Sequence, residues 1–159
     1  MAGSKKSGNP VDLPKLSSHH MDAHRKLPNL PNTPDPALGF GYDYDVCNQE
    51  VIETRMSVTD GRIVLPDGLS YALLALPPRT EIDYDVLLKL EKLVKAGATV
   101  VGPKPVKTNT LTDYPHRDET LRKLADKLWG PCDGKTVKEH AYGKGCMVWG
   151  RTLRELLIE

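Results

Sequence analysis

Four groups of residues in this sequence have the types and spacing that chemistry needs. Asp43-Tyr44-Asp45 sets two carboxylates two residues apart, with Asn48 just beyond, in the manner of paired oxygen ligands for a divalent ion. The calcium-loop template then fails, because its fifth and sixth positions are Cys47 and Asn48 where an oxygen ligand and a glycine are needed. Helix capping and backbone hydrogen bonding are the preferred use of the same carboxylates. His19, His20 and His24 with Asp22 form a second group, in which His20 and His24 would share a helix face as metal ligands do. No apolar framework surrounds them to hold such a helix. Gly134-Lys135-Thr136 resembles the end of a phosphate-binding loop, yet Trp129 stands where the first glycine belongs and a helical segment precedes it instead of a strand. A polar loop is therefore expected there. Gly143-Lys144-Gly145 lacks the third glycine of a dinucleotide loop and reads as a turn. No nucleophile with its base and no well-framed pair of carboxylates emerges, so no catalytic and no metal-binding residue is assigned.

The elements that must position any such residue are clearest between Tyr71 and Gly102. The apolar run Tyr71 to Leu76 predicts a strand buried on both faces of a parallel sheet. A helix follows, with Val86, Leu87, Leu90, Leu93 and Val94 on one stripe, Lys89, Glu91, Lys92 and Lys95 mostly turned outward, Asp83 at its start and Gly97 at its end. Ala98 to Val101 is the parallel partner strand, which completes a βαβ unit. In an open parallel sheet, ligands and partners meet the carboxyl ends of the strands. Those ends carry Arg79, Lys104 and Arg151, and the segment Tyr42 to Asn48 should lie beside them if a first strand precedes it. Asp43, Asp45, Asn48, Arg79 and Arg151 are accordingly the candidate ligand or interface residues.

Around this unit the sequence predicts a short helix from Val46 to Arg55, capped by Asp45 or Asn48 with Val51, Ile52 and Met56 inward. A hairpin follows, Ser57 to Thr59 and Arg62 to Leu65, turning at Asp60-Gly61. Beyond an irregular stretch from Pro103 to Pro115, a helix over Asp118 to Trp129 carries Leu121, Leu124, Ala125 and Leu128 on one stripe. A polar loop to Gly145, a strand from Cys146 to Trp149, and a last helix with capping-box spacing at Thr152 and Glu155 complete the reading. Residues 1–36 hold six of the thirteen prolines and no apolar period, so they are expected to be a disordered tail or linker ahead of one domain over 37–159.

A length of 159 residues allows one domain with a full core. The formal net charge of +1, with both signs interspersed, argues against nucleic acid or an anionic membrane as partner. No apolar stretch approaches a membrane span, and no signal peptide is recognisable, so the localisation is left unknown. Cys47, Cys132 and Cys146 are too few and too widely spaced for a disulfide scaffold or zinc site and are expected as free thiols in or near the core.

The succession GYDYDVCNQEVI, SVTDGRIVLPDGLSYALLALPP, LVKAGATVVGPKP, LADKLWG and YGKG resembles the bacterial α-L-rhamnosidase family of glycoside hydrolases, family 106, over about Asp35 to Glu159. The resemblance implies a flavodoxin-like, glutamine-amidotransferase-like domain that follows a catalytic barrel. It implies an α/β fold with an open, mainly parallel three-layer sheet and one β-hairpin insertion. The parent enzyme would remove terminal L-rhamnose with inversion, using two carboxylates and calcium held by the barrel, often in the periplasm or outside the cell. This chain would then need no cofactor of its own. Members of the family have a first strand ahead of the GYDYD segment, where this chain has PKLSSHHMDAHRKLPNLP, a stretch that proline excludes from a central ladder. The sheet is therefore expected to be incomplete at its first strand, and the chain to be a fragment, a fusion or a decayed gene product. The expected function is that of an accessory piece, inactive alone, whose strand-end face meets the barrel or another protein. The alternative is a free-standing flavodoxin-like binding or interaction module.

Overall fold

A computed structural model of the chain describes residues 44–111 and 114–158. The predicted tail over 1–36, its histidine group and Asp43 lie outside the described residues. Helix α1, Gln49–Thr54, starts where the Asn48 side chain accepts a hydrogen bond from the Val51 amide at 3.1 Å. Strands β1, Ser57–Thr59, and β2, Arg62–Val64, form the expected hairpin. Its turn has φ of 50° at Asp60 and 76° at Gly61, the left-handed pair that a type I′ turn requires. Strand β3, Ser70–Tyr71, joins β2 to complete a three-stranded antiparallel sheet in the order β1-β2-β3.

The βαβ unit follows as β4, Leu73–Ala75, α2, Tyr84–Ala96, and β5, Thr99–Val101. Asp83 caps α2 by accepting from the Asp85 amide at 2.8 Å, and Gly97 ends it with its amide turned back to Leu93 and Val94. After α3, His116–Trp129, come β6, Glu139–Tyr142, β7, Gly145–Val148, and α4, Leu153–Ile158. The second sheet has the order β4-β5-β7-β6, with the first two pairs parallel and the last antiparallel. The protein is thus a mixed α/β structure with parallel and antiparallel strands and, among the described residues, four helices.

Packing explains why these elements hold together. Val86, Leu87, Leu90, Leu93 and Val94 of α2 are buried, as their spacing predicts, and join Leu121, Ala125, Leu128 and Trp129 of α3 over Val100 and Met147 of the sheet. The other face is covered more thinly: Leu153 and Leu156 of α4 pack on Val101 and Val148, while Leu73, Ala75 and Cys146 stay partly exposed. The capping box at Thr152 and Glu155 forms, with Thr152 N–H donating to Glu155 at 2.9 Å and Glu155 N–H to Thr152 Oγ1 at 3.3 Å.

Several expectations are corrected. Tyr71 to Leu76 is not one strand buried on both faces. Arg62 donates to Ser70 Oγ and to Ser70 O, each at 3.1 Å, which holds Ser70 and Tyr71 in the antiparallel sheet, and the chain turns at Ala72 into β4. β4 is an edge strand among the described residues, partly exposed because it has a single neighbour. Helix α1 begins at Gln49 instead of Val46, since Asn48 and not Asp45 supplies its cap. Helix α3 begins two residues before Asp118. The expected loop before Gly145 contains β6, whose alternating exposed and half-buried residues mark an edge strand. Of the three free thiols, Cys132 is buried, Cys146 is partly so, and Cys47 is exposed.

Candidate functional site

The carboxyl ends of β4 and β5 open into two loops. Leu76 N–H donates to Val101 O at 2.7 Å, and Gly102 N–H to Val148 O at 2.8 Å; beyond these bonds the strands diverge. Farther out the loops are tied again: Val106 N–H donates to Thr80 O at 2.8 Å, Ile82 N–H to Lys107 O at 3.2 Å, and Lys107 pairs with Glu81 at 3.2 Å. Thr108 fastens the second loop to α3, donating from its amide and its hydroxyl to Asp118 Oδ1 at 2.8 and 2.9 Å. The amide bond from Thr108 holds the Asp118 carboxyl below its usual value, against the opposing effect of burial.

An open crevice of about 180 Å³ lies between these ties, the strand ends and the start of α1. Its apolar lining is Leu76, Pro77, Ile82, Val86, Pro103 and Pro105, and its polar lining is Gln49, Arg79, Glu81, Asp83 and Asn109. Both carboxylates are engaged, Glu81 with Lys107 and Asp83 with the first turn of α2.

Of the residues predicted for a site, Arg79 lines the crevice. Asn48 is spent on capping α1, although the next residue, Gln49, reaches the crevice. Asp45 accepts from the Tyr71 hydroxyl at 2.6 Å, and this bond pushes the Tyr71 pKa up to about 12. Arg151, at the end of β7, pairs with Glu139 and donates to Glu155 O at 3.4 Å. Lys104 pairs with Asp126. Sequence pattern does not single out Gln49, Glu81 or Asn109. Their only signal is a place beside the strand ends.

The two loop motifs resolve into structural roles. In Gly134-Lys135-Thr136 the amides that would cradle a phosphate face a carboxylate of the chain itself. Asp133 Oδ1 accepts from Lys135, Thr136 and Val137 N–H at 2.8, 2.8 and 3.0 Å, and the first of these bonds leads in holding its carboxyl low. Gly143 to Gly145 is the turn between β6 and β7, pressed against the end of α2, with Lys144 N–H donating to Lys95 O at 3.1 Å. Among the described residues no group of three or more His, Cys, Asp or Glu is placed to hold a metal ion. No helix among them is long and apolar enough to cross a membrane.

Against known proteins, the chain matches the family model described as alpha-L-rhamnosidase over residues 18–159. It is 40% identical over 91 residues to a protein of Formosa agariphila that carries the provisional name beta-glucuronidase, an overlap of 57% of this chain and 8% of that protein. The solved rhamnosidase from Novosphingobium sp. PP1Y shares the fold with a TM-score of 0.64 at 28% identity, over 74% of this chain and 11% of that one. The chain therefore spans about a tenth of the length of these relatives.

Proposed function

The chain belongs to the alpha-L-rhamnosidase family of glycoside hydrolases, and from that membership we propose that it is an accessory, non-catalytic segment of such an enzyme, acting with a catalytic barrel on rhamnose-containing glycans. The observation that carries this reading is the family match, together with an overlap of only 8% and 11% of the relatives' lengths. In the crevice Glu81 pairs with Lys107 and Asp83 caps α2, structural roles that account for both carboxylates without a catalytic one. The acid, the base and any calcium belong, in this reading, to the barrel. In this reading the sheet is a flavodoxin-like one, and its strand-end loops, with Val106 exposed next to Pro105 of the crevice, face that partner.

Co-elution tests the docking. The rhamnosidase of Novosphingobium sp. PP1Y, deleted of the segment that this chain matches, is mixed with the purified chain and run by size exclusion. A joint peak with a raised melting temperature is expected, because a partner that binds only the folded state stabilises it. Separate peaks and unchanged melting would count against the proposal.

A further inference from the structure

We propose that the hairpin turn Asp60-Gly61 is a site of self-modification, where the chain rearranges through a succinimide to isoaspartate. The reaction belongs to the chain itself and is independent of the glycosidase reading. Three Asp-Gly pairs stand in the sequence, Asp60-Gly61, Asp67-Gly68 and Asp133-Gly134. In each, the glycine amide nitrogen has no Cβ beside it to hinder attack on the aspartate Cγ. As the N–Cγ bond closes a cyclic imide, the amide proton leaves with the carboxyl hydroxyl as water. Water then reopens the ring. Addition at Cγ restores aspartate, and addition at the former main-chain carbonyl leaves the main chain running through Cβ and Cγ, which is isoaspartate. No oxidant, reductant or other reactant enters.

The three pairs are alike in sequence, and the structure separates them. Asp133 Oδ1 accepts from the amides of Lys135, Thr136 and Val137 at 2.8, 2.8 and 3.0 Å. These bonds, led by that from Lys135, hold the carboxyl ionised, and an ionised oxygen is a poor leaving group. Gly134 is also wedged against Trp149, where a Cβ would come within 2.7 Å of the indole. At the second pair, Asp67 accepts from the Leu69 amide at 3.2 Å, and the Gly68 amide donates to Leu65 O at 3.0 Å. At the first pair nothing is held. No hydrogen bond or ion pair among the described residues uses the Asp60 carboxylate or the Gly61 amide, and both residues are exposed at the hairpin tip. Bringing the amide to Cγ there breaks no bond of either group.

The product bears on the fold. Isoaspartate adds one methylene to the main chain, and a two-residue type I′ turn takes it up only by disturbing the pairing of Thr59 with Arg62. The turn also rests on the end of α2, where a Cβ at Gly97 would stand 3.4 Å from Gly61 Cα. A longer turn is pushed off that end, so the hairpin loosens as the molecule ages.

The test incubates the full chain, folded, at neutral pH in water enriched in heavy oxygen, beside a sample unfolded in guanidinium chloride. Digestion in ordinary water, after lysine and arginine, puts the three pairs on separate peptides, 56–62, 63–79 and 128–135. Each ring opening leaves one heavy oxygen in its peptide, and an isoaspartyl methyltransferase marks the isoaspartate. With each folded rate divided by the unfolded rate of the same peptide, 56–62 is expected to label several-fold faster than the other two. Label in 63–79 or 128–135 that matches that in 56–62 would overturn the proposal, as would a folded chain that stays unlabelled while the unfolded chain labels at all three. The isoaspartyl fraction, resolved by ion exchange, should melt below the unmodified chain, and equal melting would overturn the loosening of the hairpin.

Discussion

At the scale of the residue, one heavily engaged carboxylate lies outside the crevice lining. Glu91 Oε1 accepts from the Tyr142 hydroxyl at 2.7 Å, Lys95 at 2.9 Å and Lys127 at 3.1 Å, with both lysines 5.7 Å from the centre of the Tyr142 ring. Burial pushes its carboxyl up, and the three hydrogen bonds outweigh that and bring it down to about 2. The folded value lies below the usual 4.5, so the stabilisation is complete above about pH 4.5 and fades as the pH falls toward 2. Glu91→Gln should cost about 2 kcal/mol at pH 7, measured by urea unfolding, and should flatten the loss of stability between pH 4.5 and 2. An unchanged acid limb in the variant would assign that limb to other groups. This cluster was not legible in the sequence. The period of α2 turns Glu91 outward, and only β6, hidden in a polar stretch, brings Tyr142 over it.

At the scale of the element, what was legible followed from side-chain period and cap chemistry. The α2 stripe, its Asp83 and Gly97 ends, and the Asp60-Gly61 hairpin each depend on a few adjacent residues, and each is in place. The break at Ala72 rests on the Arg62 side chain of β2, and β6 pairs with β7 across the two-residue turn Gly143-Lys144 but has no apolar run, so the hydrophobic pattern did not give them. Close approach of elements has the same character. A Cβ at Gly145 would collide with the carbonyl oxygens of Ala98 and Val94, whereas at Gly68 it would meet nothing within 4 Å. Gly145→Ala should therefore destabilise by about 3 kcal/mol or more, since β7 must move off the end of α2. Gly68→Ala, with φ of 91°, should cost only about 1–2 kcal/mol of backbone strain. Thermal melts of the two variants check the order, and equal losses would mean that the β7 contact yields more easily than its geometry implies.

At the scale of the whole molecule, the family was legible because runs such as GRIVLPDGLSYALLALP combine strands, turns and spacing in one order. The candidate site was legible only as a place. Arg79 was named, but Gln49, Glu81 and Asn109 become neighbours only when the loops after β4 and β5 are tied through Glu81 and Lys107. The sheet has a free edge at β4 among the described residues, and its second face is thinly covered by α4. Both suit a piece that works within a larger assembly. The most direct test of the account is the hydrolysis of an aryl α-L-rhamnoside by the purified chain at high concentration, with and without calcium. Release of the aryl alcohol no faster than in the blank is expected. Sustained turnover that co-purifies with the chain and disappears when Glu81 or Asp83 is replaced by its amide would contradict it.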